Sequence, residues 1–297
     1  MDKEILKEQR IHGTKFFPLG IYEMNQKPGE IILECHWHEE WEFLLVTDGQ
    51  AIFQVDHQQI SLEKDQAIFV KHQCLHGAYP IEDGGCSYKA VVFHPRFITD
   101  HTVDPVQMEF IEPFIKGRLH FPDYIFNETE SEKRIIGQLK NIFQICEAKH
   151  FGYQLQAKAS LWMIWAFLLE TGNFTESNFN WQHKKQTAKL KKILTFIHEN
   201  YAEKISVREL TVIFAMSEGY FCRFFKKMMH MTPLEYIQRY RIRAVVNALK
   251  NNEMPIIDIA YNCGFHNLSY FNQTFKKYMN CTPSEFRHKQ EVMKEKI

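Results

Sequence analysis

Seventeen residues from Tyr220 to Tyr236, YFCRFFKKMMHMTPLEY, return fifty positions later as YFNQTFKKYMNCTPSEF from Tyr270 to Phe286, with nine identities. Two copies are too few for a solenoid, whose stacked units share one core, so each copy is expected to close as its own small bundle. In the second copy, Ile256–Asn262 reads as a helix ended by Cys263-Gly264-Phe265, where glycine supplies the positive φ of a turn. A new helix is predicted from about Leu268 to Tyr278. Phe271, Phe275 and Tyr278 fall at i, i+4 and i+7 and face inward, which turns Asn272, Gln273 and Lys276 outward. The first copy likewise buries Phe221, Phe225 and Met228 and presents Cys222, Arg223 and Lys226. Two helices joined by a short turn, the second with an exposed polar and basic face, is the helix-turn-helix plan, placed at about 205–227 and 256–278. An ordinary helical hairpin with a solvated Lys-Lys face is the rival reading for one copy, and the duplication weighs against it.

Charge points the same way. The chain balances 36 Lys+Arg against 36 Asp+Glu, but the balance is a cancellation. Up to His183 there are 16 basic and 26 acidic side chains, and from Lys184 onward 20 basic and 10 acidic, so the halves carry −10 and +10. Such asymmetry predicts a nucleic-acid-facing module joined to an acidic one. Thr232-Pro233 and Thr282-Pro283 each restart a helix, threonine as cap and proline in the first turn. After Pro233 some 16 residues span roughly 24 Å, a rod able to hold two recognition helices near one DNA turn (~34 Å) apart.

This tandem unit resembles the DNA-binding domain of AraC/XylS-type transcription regulators. The likeness is carried by Ile259-Ala260, Gly264-Phe265, Ser269-Tyr270-Phe271, Phe275-Lys276-Lys277 and Thr282-Pro283-Ser284-Glu285-Phe286-Arg287, and it covers about Thr187 to Lys289. It implies that Glu218, Gly219, Cys222 and Arg223 face bases in the first unit, with Lys226 beside them. In the second unit it implies Asn267, Leu268, Ser269, Asn272 and Gln273, with Lys276. The chain departs from the pattern where His230 and Asn280 replace the usual glycine before Thr-Pro, and where Ala215 replaces the turn glycine of the first unit. Gly219 and Cys222 offer bases little hydrogen bonding, so Arg223 is expected to dominate the first readout.

The acidic half has a different texture. Ile31–His38, Trp41–Val46, Ala51–Val55 and Ala67–Val70 are short β-rich runs, and Asp48-Gly49 between two of them predicts a tight hairpin in a sandwich or small barrel. Helical spacing follows in Ile135, Ile136, Leu139, Ile142, Phe143 and Cys146, then from Leu155 through Trp162, Trp165, Leu168 and Leu169. These helices either close the core of the β module or present a face to a second subunit. Thr171 to Lys185 is polar and without period, a linker.

His36, His38, Glu42 and Gly49 keep the spacing H-x-H-x3-E-x6-G, which resembles the first motif of cupin barrels, and His76 is placed as the histidine of the second. The Pro-x-Gly of that second motif is replaced by Lys71-His72-Gln73. Three imidazoles and a carboxylate suit a divalent transition metal. AraC-type regulators also keep such residues in a cupin-like sensor that takes an organic effector without metal. Three readings therefore stay open for His36, His38, Glu42 and His76: an effector pocket, a metal site, or hydrogen-bonded residues at the barrel mouth. Phe16, Phe17 and Tyr22 line the pocket or, preferably, fill the core.

The expected fold class is α+β multidomain. A cupin-like β-barrel with following helices occupies 1–170 and a linker 171–186. An all-α domain with two helix-turn-helix units occupies 187–290. The expected function is control of double-stranded promoter DNA by a small-molecule effector, a sugar or sugar derivative by resemblance, in a homodimer that contacts RNA polymerase if it activates. No cofactor is required on this reading. The alternatives are a metal-dependent cupin enzyme or metal sensor fused to DNA-binding repeats, and a constitutive DNA binder whose barrel only oligomerises. Hydrophobic residues at 45% exclude a mostly disordered chain, and no catalytic triad or phosphate-binding glycine loop stands out. Seven cysteines without a C-x-x-C pair, no run near ~20 apolar residues and no signal peptide predict a cytoplasmic protein with reduced thiols.

Overall fold

A computed structural model describes residues 6–26, 32–81, 84–99, 104–176, 181–251 and 254–294. The chain divides into two compact units, one spanning Lys7–Lys184 and one beginning at Lys185.

The first unit contains strands β1 (Leu19–Gln26), β2 (Leu33–His36), β3 (Trp41–Val55), β4 (Gln58–Glu63), β5 (Ala67–Val70), β6 (His76–Pro80), β7 (Cys86–Phe93), β8 (Leu119–His120), β9 (Tyr124–Ile125) and β10 (Thr175–Glu176). Its helices are α1 (Pro105–Phe110), α2 (Glu112–Ile115), α3 (Glu130–Ala148) and α4 (Tyr153–Glu170). Every pairing between named strands is antiparallel, and β3 organises them. Its first half pairs with β5 and β7, and its second half with β4 and β6. Ile31 lies outside the described residues.

Asp48-Gly49 is not a hairpin. β3 runs through it, and the register against β7 shifts between Val46 and Asp48, a β-bulge at which Gly49 takes φ +73°. A bulge and a tight turn both call for a positive φ, so the Asp-Gly signal does not separate them. The chain reverses later, at Asp56-His57 between β3 and β4.

Period-2 alternation in β3 serves two cores. Trp41, Phe43 and Leu45 join a cluster with Ile135, Leu139 and Ile142 of α3 and Leu161, Ile164 and Trp165 of α4. Leu44 and Val46 join Phe53, Val55, Leu62, Val70 and Ala78 inside the barrel. Trp165 stacks on Trp41 with ring centroids 5.0 Å apart and donates its indole N–H to the Phe110 carbonyl at 2.9 Å. The inner faces of α3 and α4 thus close the β module, while Leu155, Trp162 and Met163 remain exposed. Phe17 packs edge-on against Phe97 and Tyr22 packs on the interior cluster. Phe16 fills neither core nor pocket: it is 93% exposed, because it lies in the bend before β1 rather than on a strand face.

The second unit carries α5 (Trp181–Asn200), α6 (Val207–Ile213), α7 (Glu218–Met229), α8 (Pro233–Asn251), α9 (Ile256–Asn262), α10 (Leu268–Met279) and α11 (Pro283–Lys294). The segment 171–186 is therefore only partly a linker. Thr175–Glu176 pairs with β8, and α5 starts at Trp181. A two-residue bridge has no period, and the apolar spacing of α5 begins only at Leu190, so neither leaves a mark in the sequence. α8 has 19 residues, about 28 Å at 1.5 Å each. Its Ile242, Val245 and Leu249 pack with Ile259, Phe271 and Phe275 of the second helix-turn-helix and with Phe286 of α11. Thr232 and Thr282 cap α8 and α11 as expected, each accepting from the backbone N–H of a glutamate three residues on, Glu235 and Glu285, at 3.3 Å.

Candidate functional site

Alternation in β3 aims Glu42 the same way as Leu44 and Val46, into the barrel, where it is 5% exposed. Register then supplies its partners. His36 of β2 and His76 of β6 face each other across the strands, and His76 also pairs with Val55 of β3. His38 follows β2 in the loop that enters β3. The structure brings all four predicted residues together: one ligating atom from each of His36, His38, Glu42 and His76 lies within 4.8 Å of the others. Nε2 of His38 and Nε2 of His76 both stand 3.0 Å from the same oxygen, Oε2 of Glu42.

The opposite ring nitrogens are occupied by backbone carbonyls. Nδ1 of His36 donates to Glu34 at 2.7 Å, that of His38 to Glu40 at 3.1 Å, and that of His76 to Cys74 at 3.1 Å. Burial alone would raise the Glu42 pKa, but hydrogen bonds and charge from His38 and His76 outweigh it and hold the carboxyl below its ordinary range. Burial, then the neighbouring His76, pushes His36 down to about 3. His38 is also disfavoured as a cation by burial, yet the Glu42 hydrogen bond and charge raise its pKa overall.

Sequence reasoning missed the N-terminal side of this site. The Glu8 backbone N–H donates to Trp37 at 2.9 Å, which sets the Glu8 carboxylate Oε2 3.6 Å from His36 Nε2 and 3.2 Å from His12 Nε2. His12 is 5% exposed, and its Nδ1 lies 2.9 Å from the Tyr22 hydroxyl. The only sign in the sequence is the i, i+4 pair Glu8/His12, in a segment with no strand or helix period.

In the second unit, Glu218, Gly219, Arg223 and Lys226 of α7 are exposed and Cys222 is half-buried, while Phe221, Phe224, Phe225 and Met228 are buried. In α10, Ser269, Asn272, Gln273 and Lys276 are exposed, Leu268 is half-buried, and Thr274 joins Phe271 and Phe275 inside. Tyr278 is only half-buried. Asn267 is exposed but caps α10, its Oδ1 accepting from the Tyr270 N–H at 2.9 Å, so that oxygen is committed to the helix rather than to a base. The predicted outward faces are thus outward in both units except at Cys222 and Leu268, which are half-buried.

A barrel holding a buried polar cluster and a helical unit with two tandem helix-turn-helix motifs define a ligand-binding, DNA-binding regulator. Comparison with known proteins agrees. A family model described as an AraC-like ligand binding domain matches residues 27–164, and one described as a helix-turn-helix domain matches residues 210–289. An uncharacterized HTH-type transcriptional regulator of Bacillus subtilis, YdeC, is 28% identical over 95% of this chain and 96% of its own length. The HTH-type transcriptional activator RhaS of an Enterobacter species is 22% identical over 93% of this chain and 96% of its own. A solved structure of ToxT from Vibrio cholerae aligns over 91% of this chain and 97% of its own at 15% identity, with a TM-score of 0.40, too low to bear on the fold. The chain belongs to the AraC family of transcriptional regulators.

Proposed function

We propose that a small molecule bound at His36, His38, Glu42 and His76 controls how tightly the two helix-turn-helix units hold promoter DNA. The observation that carries this reading is the convergence of four polar side chains inside an apolar barrel, an arrangement whose desolvation is offset only by a ligand or by mutual pairing. The ligand acts by binding one arrangement of the protein more tightly than another, since equal affinity shifts nothing. A sugar or sugar derivative is the organic class that family resemblance favours. The exposed Leu155, Trp162 and Met163 of α4 are the apolar surface offered to a second copy in a homodimer. The protein works as a cytoplasmic regulator and not as an enzyme, and as an activator it would contact RNA polymerase. Among the described residues no helix is long and apolar enough to cross a membrane.

The test is operator binding by the full chain, followed by fluorescence anisotropy, after a thermal-shift screen of sugars and metal ions has identified a stabilising compound. That compound is expected to change operator affinity, and Glu42→Ala to abolish the change without loss of binding to the operator itself. Arg223→Ala and Gln273→Ala should each cost about 1–3 kcal/mol and relax sequence preference. Unchanged preference in both variants would remove α7 and α10 from the interface.

A further inference from the structure

We infer that Arg241, in the middle of α8, locks the two helix-turn-helices at one relative setting and so decides which separation of two half-sites the protein accepts. The inference takes both motifs to meet one duplex, and it concerns the spacing between their contacts rather than the bases read.

The first clue is a glycine. α6 ends on Ala215 and α9 on Gly264, both left-handed, at φ 49° and 85°. Alanine therefore meets a positive φ in this chain. What excludes it at Gly264 is a second backbone: a Cβ there would stand 2.7 Å from the Tyr201 carbonyl oxygen and 2.9 Å from that of Ala202. Those two residues follow α5, and α5 is fixed to the first helix-turn-helix by Phe196, edge-on to Phe214 with ring centroids 6.1 Å apart. Gly264 lies in the turn of the second. The two motifs thus approach backbone to backbone at this point. Tyr201 reaches further, packing against the cluster that contains Ile242, Phe265 and Phe271.

Arg241 holds that contact. Its Nε donates to the Tyr201 carbonyl at 2.7 Å and its Nη2 to the Glu203 carbonyl at 2.7 Å. The Cβ position of Gly264 is 2.8 Å from the same Nε, so the guanidinium sits between the first motif and the turn of the second. A cation donating to carbonyls at the C-terminal end of a helix is favoured by the partial charge they carry. The planar guanidinium fixes both bonds together, which an ammonium on a flexible stem does not. Its place on α8 gives the contact leverage. On the N-terminal side of Arg241, Tyr236 meets Phe225 of α7 and Tyr240 stacks on His198 of α5. On the C-terminal side, Ile242, Val245 and Leu249 belong to the second core. A helix that carries one load at each end sets their distance but bends between them, and bonds off its axis remove that freedom. Gln238 adds another such bond, donating to the Tyr270 hydroxyl of α10. One base pair changes separation by about 3.4 Å and orientation by about 35°, so a setting held this firmly discriminates between neighbouring spacings.

The experiment selects duplexes from a library with a random window of roughly 30 base pairs, three helical turns, using the full chain, Arg241→Met and Arg241→Lys. The best duplex of the parent is then remade with one base pair inserted between its two sub-motifs, and binding is followed by fluorescence anisotropy. The parent is expected to enrich two sub-motifs at a single separation and to lose roughly 10–100-fold in affinity on insertion, since a displaced recognition helix forfeits base contacts. Arg241→Met should enrich the same sub-motifs at several separations, and insertion should cost it no more than roughly 5-fold, the lower edge of one lost contact. Arg241→Lys, which keeps the charge and reaches one carbonyl at a time, should fall between them, and it serves alone if the methionine variant does not fold. A merely structural arginine would lower the melting temperature and weaken both duplexes equally. An insertion penalty in folded variants equal to that of the parent therefore overturns the inference. A parent that enriches one sub-motif alone overturns it too, because no separation is then being set. None of these outcomes depends on an effector, so a failure of effector control would leave them in place.

Discussion

Ala215 at φ 49° and Gly264 at φ 85° do the same job in the two helix-turn-helix units, ending α6 and α9 with a left-handed residue. Around both, a six-to-one hydrogen bond closes the helix, Met216 N–H to Thr211 and Phe265 N–H to Ala260, each at 2.9 Å. Alanine suffers there from its Cβ. Glycine suffers only its backbone entropy, so Ala215→Gly is expected to stabilise the second unit by about 0.5–1 kcal/mol in urea unfolding. The mirror substitution has the opposite sign. A Cβ on Gly264 would stand 2.7 Å from the Tyr201 carbonyl oxygen and 2.9 Å from that of Ala202, so Gly264→Ala should cost about 2 kcal/mol or more. His230 and Asn280 also adopt the left-handed region, at φ 54° and 53°, so the absent glycines changed the residue and left the backbone as it was. His198 makes a further case at this scale. It is stacked on Tyr240, bonded to the Tyr236 hydroxyl at 2.7 Å, and burial pushes its pKa down to about 3. A depressed histidine binds fewer protons folded than unfolded. Its contribution is therefore whole above about pH 6.5 and is lost as the pH falls toward 3. Between pH 7 and 5 this amounts to about 2 kcal/mol, and His198→Phe, which keeps the stack and cannot titrate, should flatten that part of the stability profile.

Among the elements, β3 decides whether the barrel closes. Its bulge crest, Asp48 to Gln50, is exposed, so no side-chain burial compensates a strained backbone there. A Cβ on Gly49 would meet the Gly85 carbonyl oxygen at 2.3 Å, in a conformation of φ +73°. Gly49→Ala should therefore lower the stability of the first unit by about 2 kcal/mol, read as a lower melting temperature of the barrel signal, with operator binding by the second unit preserved. If the residue were only a hairpin tip, as Asp48-Gly49 suggests in the sequence, the loss would be smaller. What was legible follows from periodicity. α7 and α10 were readable because Phe221/Phe225 and Phe271/Phe275 recur at four residues, and the cluster because His36, His38 and Glu42 sit close together on or beside strands with fixed alternation. Glu8 and His12 were not, since their approach depends on a non-periodic segment running beside Trp37, and β10 was not, since two residues carry no alternation.

At the scale of the molecule, a net charge of zero conceals a +10 half that must meet phosphate. Lys226, Lys227, Lys276 and Lys277 are exposed on the recognition helices. If about four such phosphate contacts release counterions, log affinity should fall with log salt at a slope near −3.6, a loss of roughly 150-fold between 50 and 200 mM. The charge variants then separate two roles that a single affinity measurement merges. Lys226→Ala and Lys276→Ala should each bring the slope about one unit closer to zero and leave sequence preference intact, whereas Gln273→Ala should relax preference and leave the slope unchanged. A flat salt dependence would mean that the acidic half cancels the basic one at the DNA surface. That requires its charges to lie within a Debye length, ~10 Å at 0.1 M, of the phosphates, so the slope reports how far the −10 unit stands from the DNA as well as how many cations touch it.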